Sequence, residues 1–275
     1  MKEKQPVSPF IVRMPEKVQA PLVVSIPHTG TYVPSDINDR FISDRIRELP
    51  MTDWHLHKLY DFLASIGVIS IHATYSRFVV DLNRPPDSRP LYPGRFETGL
   101  VATRTFYGDD IWLSSPDSAE IEQRRALFHA PYHEKLEELL EGQREKFGQV
   151  FLIDAHSVSS KPSLLHGALT DDIYLGNRDG SSCEPWLIDT VASSMESNYL
   201  HVARNNPYKG GFITEHYGSL RATQALQIEM CQRVYMDEED DPRDPWILKS
   251  PHFATARGRL NSMFDAVIEE ILARI

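Results

Sequence analysis

VFLIDAHS, residues 150–157, opens with four apolar side chains in a row and then delivers an aspartate and a histidine, Asp154 and His156. Apolar residues on both parities predict a strand covered on both faces, here residues 150–154. Polar residues that directly follow such a run stand where open α/β sheets gather their ligands, at the carboxyl ends of the strands. The same pattern recurs on either side. Leu22–Ile26 is followed by Pro27-His28-Thr29-Gly30, residues 78–82 lead through Asp81 into Asn83-Arg84, and residues 226–230 carry Glu229 within the run. Further strands are predicted at 68–72, Ile173–Gly176 and 200–203. Helices are predicted at 52–66, 118–147, Pro185–Ser197 and 254–275. Thr52 is a candidate cap for the first. Ser118 is the better N-cap, because Ile121 and Glu122 follow it. Short apolar runs alternating with longer amphipathic ones predict an α/β fold, a mixed sheet covered by helices. No repeat, low-complexity tract or Gly/Ser linker divides the chain, so one domain over residues 1–275 is expected. Residues 85–107, with prolines and glycines spaced through them, read as a long excursion of the kind that lines a site.

Composition narrows the function. The 275 residues are 41% hydrophobic and 25% charged, which excludes bulk disorder and a fibrous chain. With 29 Lys plus Arg against 39 Asp plus Glu, the net charge is −10. That balance argues against nucleic acid as the main partner, since phosphate binding needs surplus cations on at least one face. The longest uncharged stretch, 62–76, is broken by Gly67, His72 and several hydroxyls and is too short to span a bilayer, so no membrane is expected. The opening MKEKQPVSPF lacks an apolar core, so no signal peptide is expected and the cytoplasm is the expected compartment. Cys183 and Cys231 are too few for a disulfide scaffold or a Cys-rich zinc site.

Two histidines at separate strand ends are not ligands on local spacing alone. Their company matters: a histidine, an acid, a second histidine and a further Glu all converge on one sheet edge. The segments SIPHTG, TDWHLHKLY, SRFVVDLNRPPD, FLIDAHS, DIYLGNRDG, KGGFITEHYG and ALQIEMCQR, in order from about residue 20 to 235, resemble the N-formylglutamate amidohydrolase (deformylase) family. More distantly, DLNR and DAHS are similar to pieces of the zinc carboxypeptidases. The resemblance implies a zinc-carboxypeptidase-like fold and one zinc per chain. It also implies hydrolysis of the small molecule N-formyl-L-glutamate to formate and L-glutamate, the last step of one histidine-degradation route.

A catalytic zinc takes three His, Asp or Glu ligands and leaves a position for water. His28 and His156 are the expected imidazole ligands. The carboxypeptidases place an acid three residues after their first ligand histidine. Here that position is Thr31, so the carboxylate must come from elsewhere. The family resemblance points to Asp53, whose plain alternative is a first-turn helix acid; His57, four residues on, is the reserve ligand. Glu229 sits between Ile228 and Met230, and a buried carboxylate needs either an ion-pair partner or work near the metal. The carboxypeptidase-like arrangement implies a general base there, with Glu215 as the alternative. Asn83 and Arg84 are the expected substrate handle, since a guanidinium forks onto a carboxylate. Arg178, Arg104 and Arg77 are further candidates. Period two puts Arg77 on the face of Asp81, where it can equally be structural.

Other features read as ordinary. His129 and His133 are four apart, but Ala130 and Pro131 spoil any HExxH zinc helix, so a supporting role is expected. The acidic run 237–241 reads as a solvated loop. Gly210, Gly211 and Gly218 lack nucleotide-fingerprint spacing, and without a Gly-x-Ser-x-Gly elbow a serine hydrolase is not expected. The rivals are an amidohydrolase for another N-acyl acidic amino acid and a catalytically inactive metal-binding homologue. The presence of His28, Asp53, His156 and Glu229 together argues against the latter.

Overall fold

Val24, Ile26 and Ile153 enter one core, and Val23, Val150 and Leu152 enter another. A strand apolar on both parities needs that two-sided cover. The computed structural model describes residues 7–275 apart from 93 and 95. Among those residues seven strands build one sheet: β1 (Phe10–Arg13), β2 (Leu22–Ile26), β3 (Ile69–Ala73), β4 (Val150–Val158), β5 (Ile173–Gly176), β6 (Val202–Arg204) and β7 (Thr223–Cys231). Their spatial order is β1-β3-β2-β4-β7-β5-β6. The central four, β3, β2, β4 and β7, are parallel. β1 is antiparallel to β3, β5 is antiparallel to β7, and β6 runs parallel to β5. The sheet is therefore mixed, as expected.

The described helices are α1 (Ser35–Asn38), α2 (Asp44–Arg47), α3 (Leu56–Leu59), α4 (Ser118–Arg124), α5 (Ala130–Phe147), α6 (Pro185–Ser197), α7 (Phe212–Gly218) and α8 (Pro251–Leu272). Leu187 and Val191 of α6 and Leu260 and Phe264 of α8 close the core on one face. Tyr132 and Leu136 of α5, with Ile213 and Tyr217 of α7, close the other. No described helix is long and apolar enough to cross a membrane. Both cysteines are free and buried.

Several expectations are corrected. Residues 78–82 form no strand, although Phe78, Val79, Val80 and Leu82 are buried. Their carbonyls are met by side chains instead: Arg124 donates to Phe78 O at 3.4 Å and Val79 O at 3.2 Å, and His133 Nε2 lies 2.8 Å from Leu82 O. An apolar run reports burial, not a ladder. The predicted helix 52–66 shrinks to α3 and a 3₁₀ turn, Leu63–Ile66, because His55 at φ 60° breaks the path. Thr52 caps no helix. The segment 118–147 is helical throughout, but a π turn, Arg125–His129, joins α4 to α5, and the cap is Asp117, which accepts from Glu120 N at 2.9 Å. The terminal helix starts earlier, at Pro251, with Ser250 as its cap. β1 was not predicted; it is four residues long and lies at the sheet edge. β4 and β7 extend beyond the predicted ranges, so His156 stands inside a strand, not after it.

Candidate active site

β2 connects to β3 on one side of itself, while its neighbour on the other side is β4. The connections therefore diverge between β2 and β4, and such a switch point opens a crevice at the carboxyl ends of the strands. His28 leaves the end of β2, and His156 lies near the end of β4. Asp53 comes from the turn before α3, where its N–H bonds to His28 O at 3.1 Å. Gly30 makes the β2 exit possible, since a Cβ there would stand 2.2 Å from Tyr75 O.

The three side chains are buried together, each offering one ligand-type atom, with all three atoms within 4.8 Å of one another. Asp53 Oδ2 is 3.2 Å from His156 Nδ1 and 3.9 Å from His28 Nδ1. The far nitrogens face other carboxylates: His28 Nε2 is 2.7 Å from Asp81 Oδ1, and His156 Nε2 is 3.0 Å from Asp154 Oδ1. A carboxylate behind an imidazole, as Asp81 is for His28, leaves the other nitrogen for a cation, whereas His156 Nε2 also has Asn83 Nδ2 at 2.9 Å. Two histidines disposed in this way around a third carboxylate form a donor set that fits a divalent metal.

The charges around them are unequal. Burial pushes the His28 imidazole below its ordinary value, helped by Arg77. Burial acts on His156 in the same direction, but Asp154, Asp53 and Glu229 hold it well above. Asp81 is kept well below the usual carboxylate range despite its burial, because Arg77 donates to its Oδ2 at 2.7 Å and His28 lies on Oδ1. Arg77 is thus bound to the support of His28.

β4 and β7 pair in register, His156 opposite Glu229 and Asp154 opposite Gln227. Glu229 Oε2 is buried without a partner among the described residues, and Gln227 Nε2 reaches Oε1 at only 3.4 Å. Burial, reinforced by Asp53 and Asp154, pushes this carboxyl up to about 8, against the pull of His156 and Arg77. It opens on the same cleft as the three clustered residues, a cavity of about 370 Å³. The cleft is also lined by the apolar side chains of Phe96, Phe106, Leu164 and Leu165 and by Tyr208 and Lys209.

Asn83 and Arg84 also line the cleft. The Asn83 carboxamide is committed within the protein: Oδ1 accepts from Ile213 N at 2.8 Å, and Nδ2 lies 3.2 Å from Asp154 Oδ2. Among the described residues, the Arg84 guanidinium makes one hydrogen bond, from Nε to Thr98 Oγ1 at 3.2 Å, which leaves its terminal nitrogens for a ligand. Arg178 is not among the lining residues; it pairs with Glu215 at 2.5 Å and donates to Gly210 O. Glu215 also holds Arg89 and is thereby occupied. Arg104 pairs with Asp110 on the surface. His57 lies apart from the cluster, on Thr29 Oγ1 at 2.9 Å and stacked on His72.

Sequence reasoning missed Tyr208, whose hydroxyl is buried without a partner. It is an isolated tyrosine between a proline and a lysine, so no periodicity marks it. Gln227 was legible in principle, being two residues from Glu229 on one strand face.

A model of the family described as N-formylglutamate amidohydrolase matches residues 20–236. The chain is 39% identical over 226 residues to an N-formylglutamate deformylase of Pseudomonas putida, covering 80% of this chain and 83% of that protein. It is also 39% identical over 228 residues to the N-formylglutamate deformylase of Pseudomonas aeruginosa, covering 80% and 84%. A crystal structure of N-formylglutamate amidohydrolase from Ralstonia eutropha superposes with a TM-score of 0.83 at 29% identity, over 98% of this chain and all of that one.

Proposed function

The chain belongs to the N-formylglutamate amidohydrolase family, and on that footing we propose that it hydrolyses N-formyl-L-glutamate to formate and L-glutamate, with one zinc ion held by His28, Asp53 and His156. The observation that carries this reading is the conjunction, at one end of a single cleft, of a buried His–Asp–His group and an unpartnered carboxylate. Zinc in such a site supplies Lewis-acid polarisation of the formyl carbonyl and acidifies the attacking water.

The chain's own groups do the rest. Asp81 holds the far nitrogen of His28, and Asn83 and Asp154 flank that of His156, so the two Nδ1 atoms turn toward Asp53. Glu229 accepts the proton of the attacking water and returns it to the amide nitrogen as the C–N bond breaks. A carboxyl raised by burial is suited to both halves of that transfer. Arg84 takes a substrate carboxylate on its open guanidinium edge, which orients the formyl group toward Glu229. Asn83 carries that arginine and ties it to the His156–Asp154 pair.

Formate release from the zinc-loaded protein tests the reading, with N-formylglutamate run beside N-acetylglutamate. Release from the formyl compound with strong preference over the acetyl compound is the expected result. Preference for the acetyl compound would move the assignment to a different N-acyl acidic amino acid, and no turnover of either would indicate an inactive homologue.

A further inference from the structure

The segment that carries Asn83 and Arg84 lies in no ladder, yet it is buried, so its carbonyls need donors from elsewhere. Two of them are met by one helix. His129 Nε2 lies 3.0 Å from Arg84 O, and His133 Nε2 lies 2.8 Å from Leu82 O. A carbonyl only accepts, so both rings carry their proton on Nε2. In His133 that leaves Nδ1 to accept, and the Tyr217 hydroxyl stands 3.0 Å from it and 3.2 Å from His133 O, either of which can take its proton. The rings lie against each other, 4.2 Å between centroids and tilted by 32°, on successive turns of the helix. His129 ends the π turn, a widened turn that changes the aim of the side chains after it and often marks a functional position.

The other side of the segment is gripped by α7. Ile213 N donates to Asn83 Oδ1, and Gly211 lies so close that a Cβ on it would stand 2.4 Å from Asn83 Nδ2. Residue 83 is thus held by its carboxamide, and the carbonyls before and after it are each tied to a histidine. Neither histidine lines the cleft.

We infer that His129 and His133 are positioning residues for substrate recognition: they clamp the carbonyls of Leu82 and Arg84, the residues flanking Asn83, and so aim the Arg84 guanidinium into the cleft. This rests on the reading of Arg84 as the carboxylate handle. A general packing role would not need two donors placed on the two carbonyls that bracket one residue.

The test uses the zinc-loaded protein, N-formylglutamate and its two monoamides. His129→Phe and His133→Phe keep a ring and remove the donor. Each should raise KM for N-formylglutamate about tenfold and cut the preference over the better-discriminated monoamide by a similar factor, with metal content unchanged. His129→Gln and His133→Gln place an N–H near the position of Nε2 and should restore most of the preference. Should the Phe variants fail to fold, Tyr217→Phe, which removes only the hydroxyl behind His133, should still weaken the preference a few-fold. Arg84→Met should lose the preference alone, and adding His129→Phe to it should cost little more, since groups acting through one contact do not add. Phe variants that melt lower but keep the preference and KM, or a loss that adds fully to that of Arg84→Met, would overturn the clamp. An Arg84→Met protein that keeps its preference would instead overturn the handle itself, and the clamp with it.

Discussion

Glu229 keeps a carboxyl oxygen in the interior with nothing to accept from. A group so placed is costly to the fold and is retained where chemistry needs it. Glu229→Gln should therefore separate two quantities. Turnover should fall by about 10²–10⁴-fold with metal retained, the usual range for a lost general base. The metal-free variant should melt higher than metal-free wild type at pH 8. The sign follows from linkage: with the folded carboxyl raised to about 8, the folded chain binds the extra proton between the ordinary value and 8, so its stability declines as pH rises through that window. A Gln variant that melts lower, or that loses less than about tenfold in rate, would move the proton transfer elsewhere. At the proposed ligands, His28→Ala and His156→Ala should each bring elemental analysis well below one zinc per chain, and full metal in the double variant would exclude them. What was legible at this scale were residues that follow an apolar run. Asp81 and Asp154 could be seen as strand-end acids, but not as the groups behind two particular rings, because that pairing is made across the sheet.

Elements were legible where burial and hydrogen bonding coincide. β2, β4, β5 and β7 are apolar and pair with strands on both sides, so the apolar run and the ladder share most of their length. Residues 78–82 separate the two, since they are buried but their carbonyls bond to Arg124 and His133. No local pattern announces a guanidinium more than forty residues away in the chain. Arg124 is itself buried, paired with Glu120 and lying 4.8 Å over the Trp112 ring. Arg124→Met keeps much of that volume and leaves the Phe78 and Val79 carbonyls without their donor. Urea denaturation should show a loss of about 1–3 kcal/mol, with metal content intact because the donors sit on other elements. A loss under about 0.5 kcal/mol would mean the segment finds other donors. Helix 52–66 failed for a different reason: the path is broken before α3 by left-handed His55 and after it at Tyr60, which leaves helical geometry ahead of the 3₁₀ turn.

Across the whole molecule, buried neutral histidines dominate the response to acid. Burial pushes His57 and His72 down to about 4, helped by His72 and Lys58 at the first and by Arg13 and Lys58 at the second. His129 and His133 are lowered as well. An unfolded chain protonates its histidines near 6.5, so below that pH it binds protons the folded chain refuses. The lowered histidines take stability away as pH drops from about 6.5 toward 4; the raised His156 and Glu229 oppose this in part. Urea midpoints at pH 7.5 and 5, taken in chelator, check it: the midpoint should drop at pH 5, and His57→Phe with His72→Phe should flatten the slope. A midpoint unchanged at pH 5 would contradict it. The cluster at the switch point carries a further consequence. Asp53 and His156 are 103 residues apart, and with His28 they meet only when the centre of the sheet is assembled. An ion held there binds the native chain and not the unfolded one, and at a thousandfold its dissociation constant it adds about 4 kcal/mol. Scarcity of the ion would then shorten the lifetime of the polypeptide itself, and the cell's supply would set how much protein survives degradation.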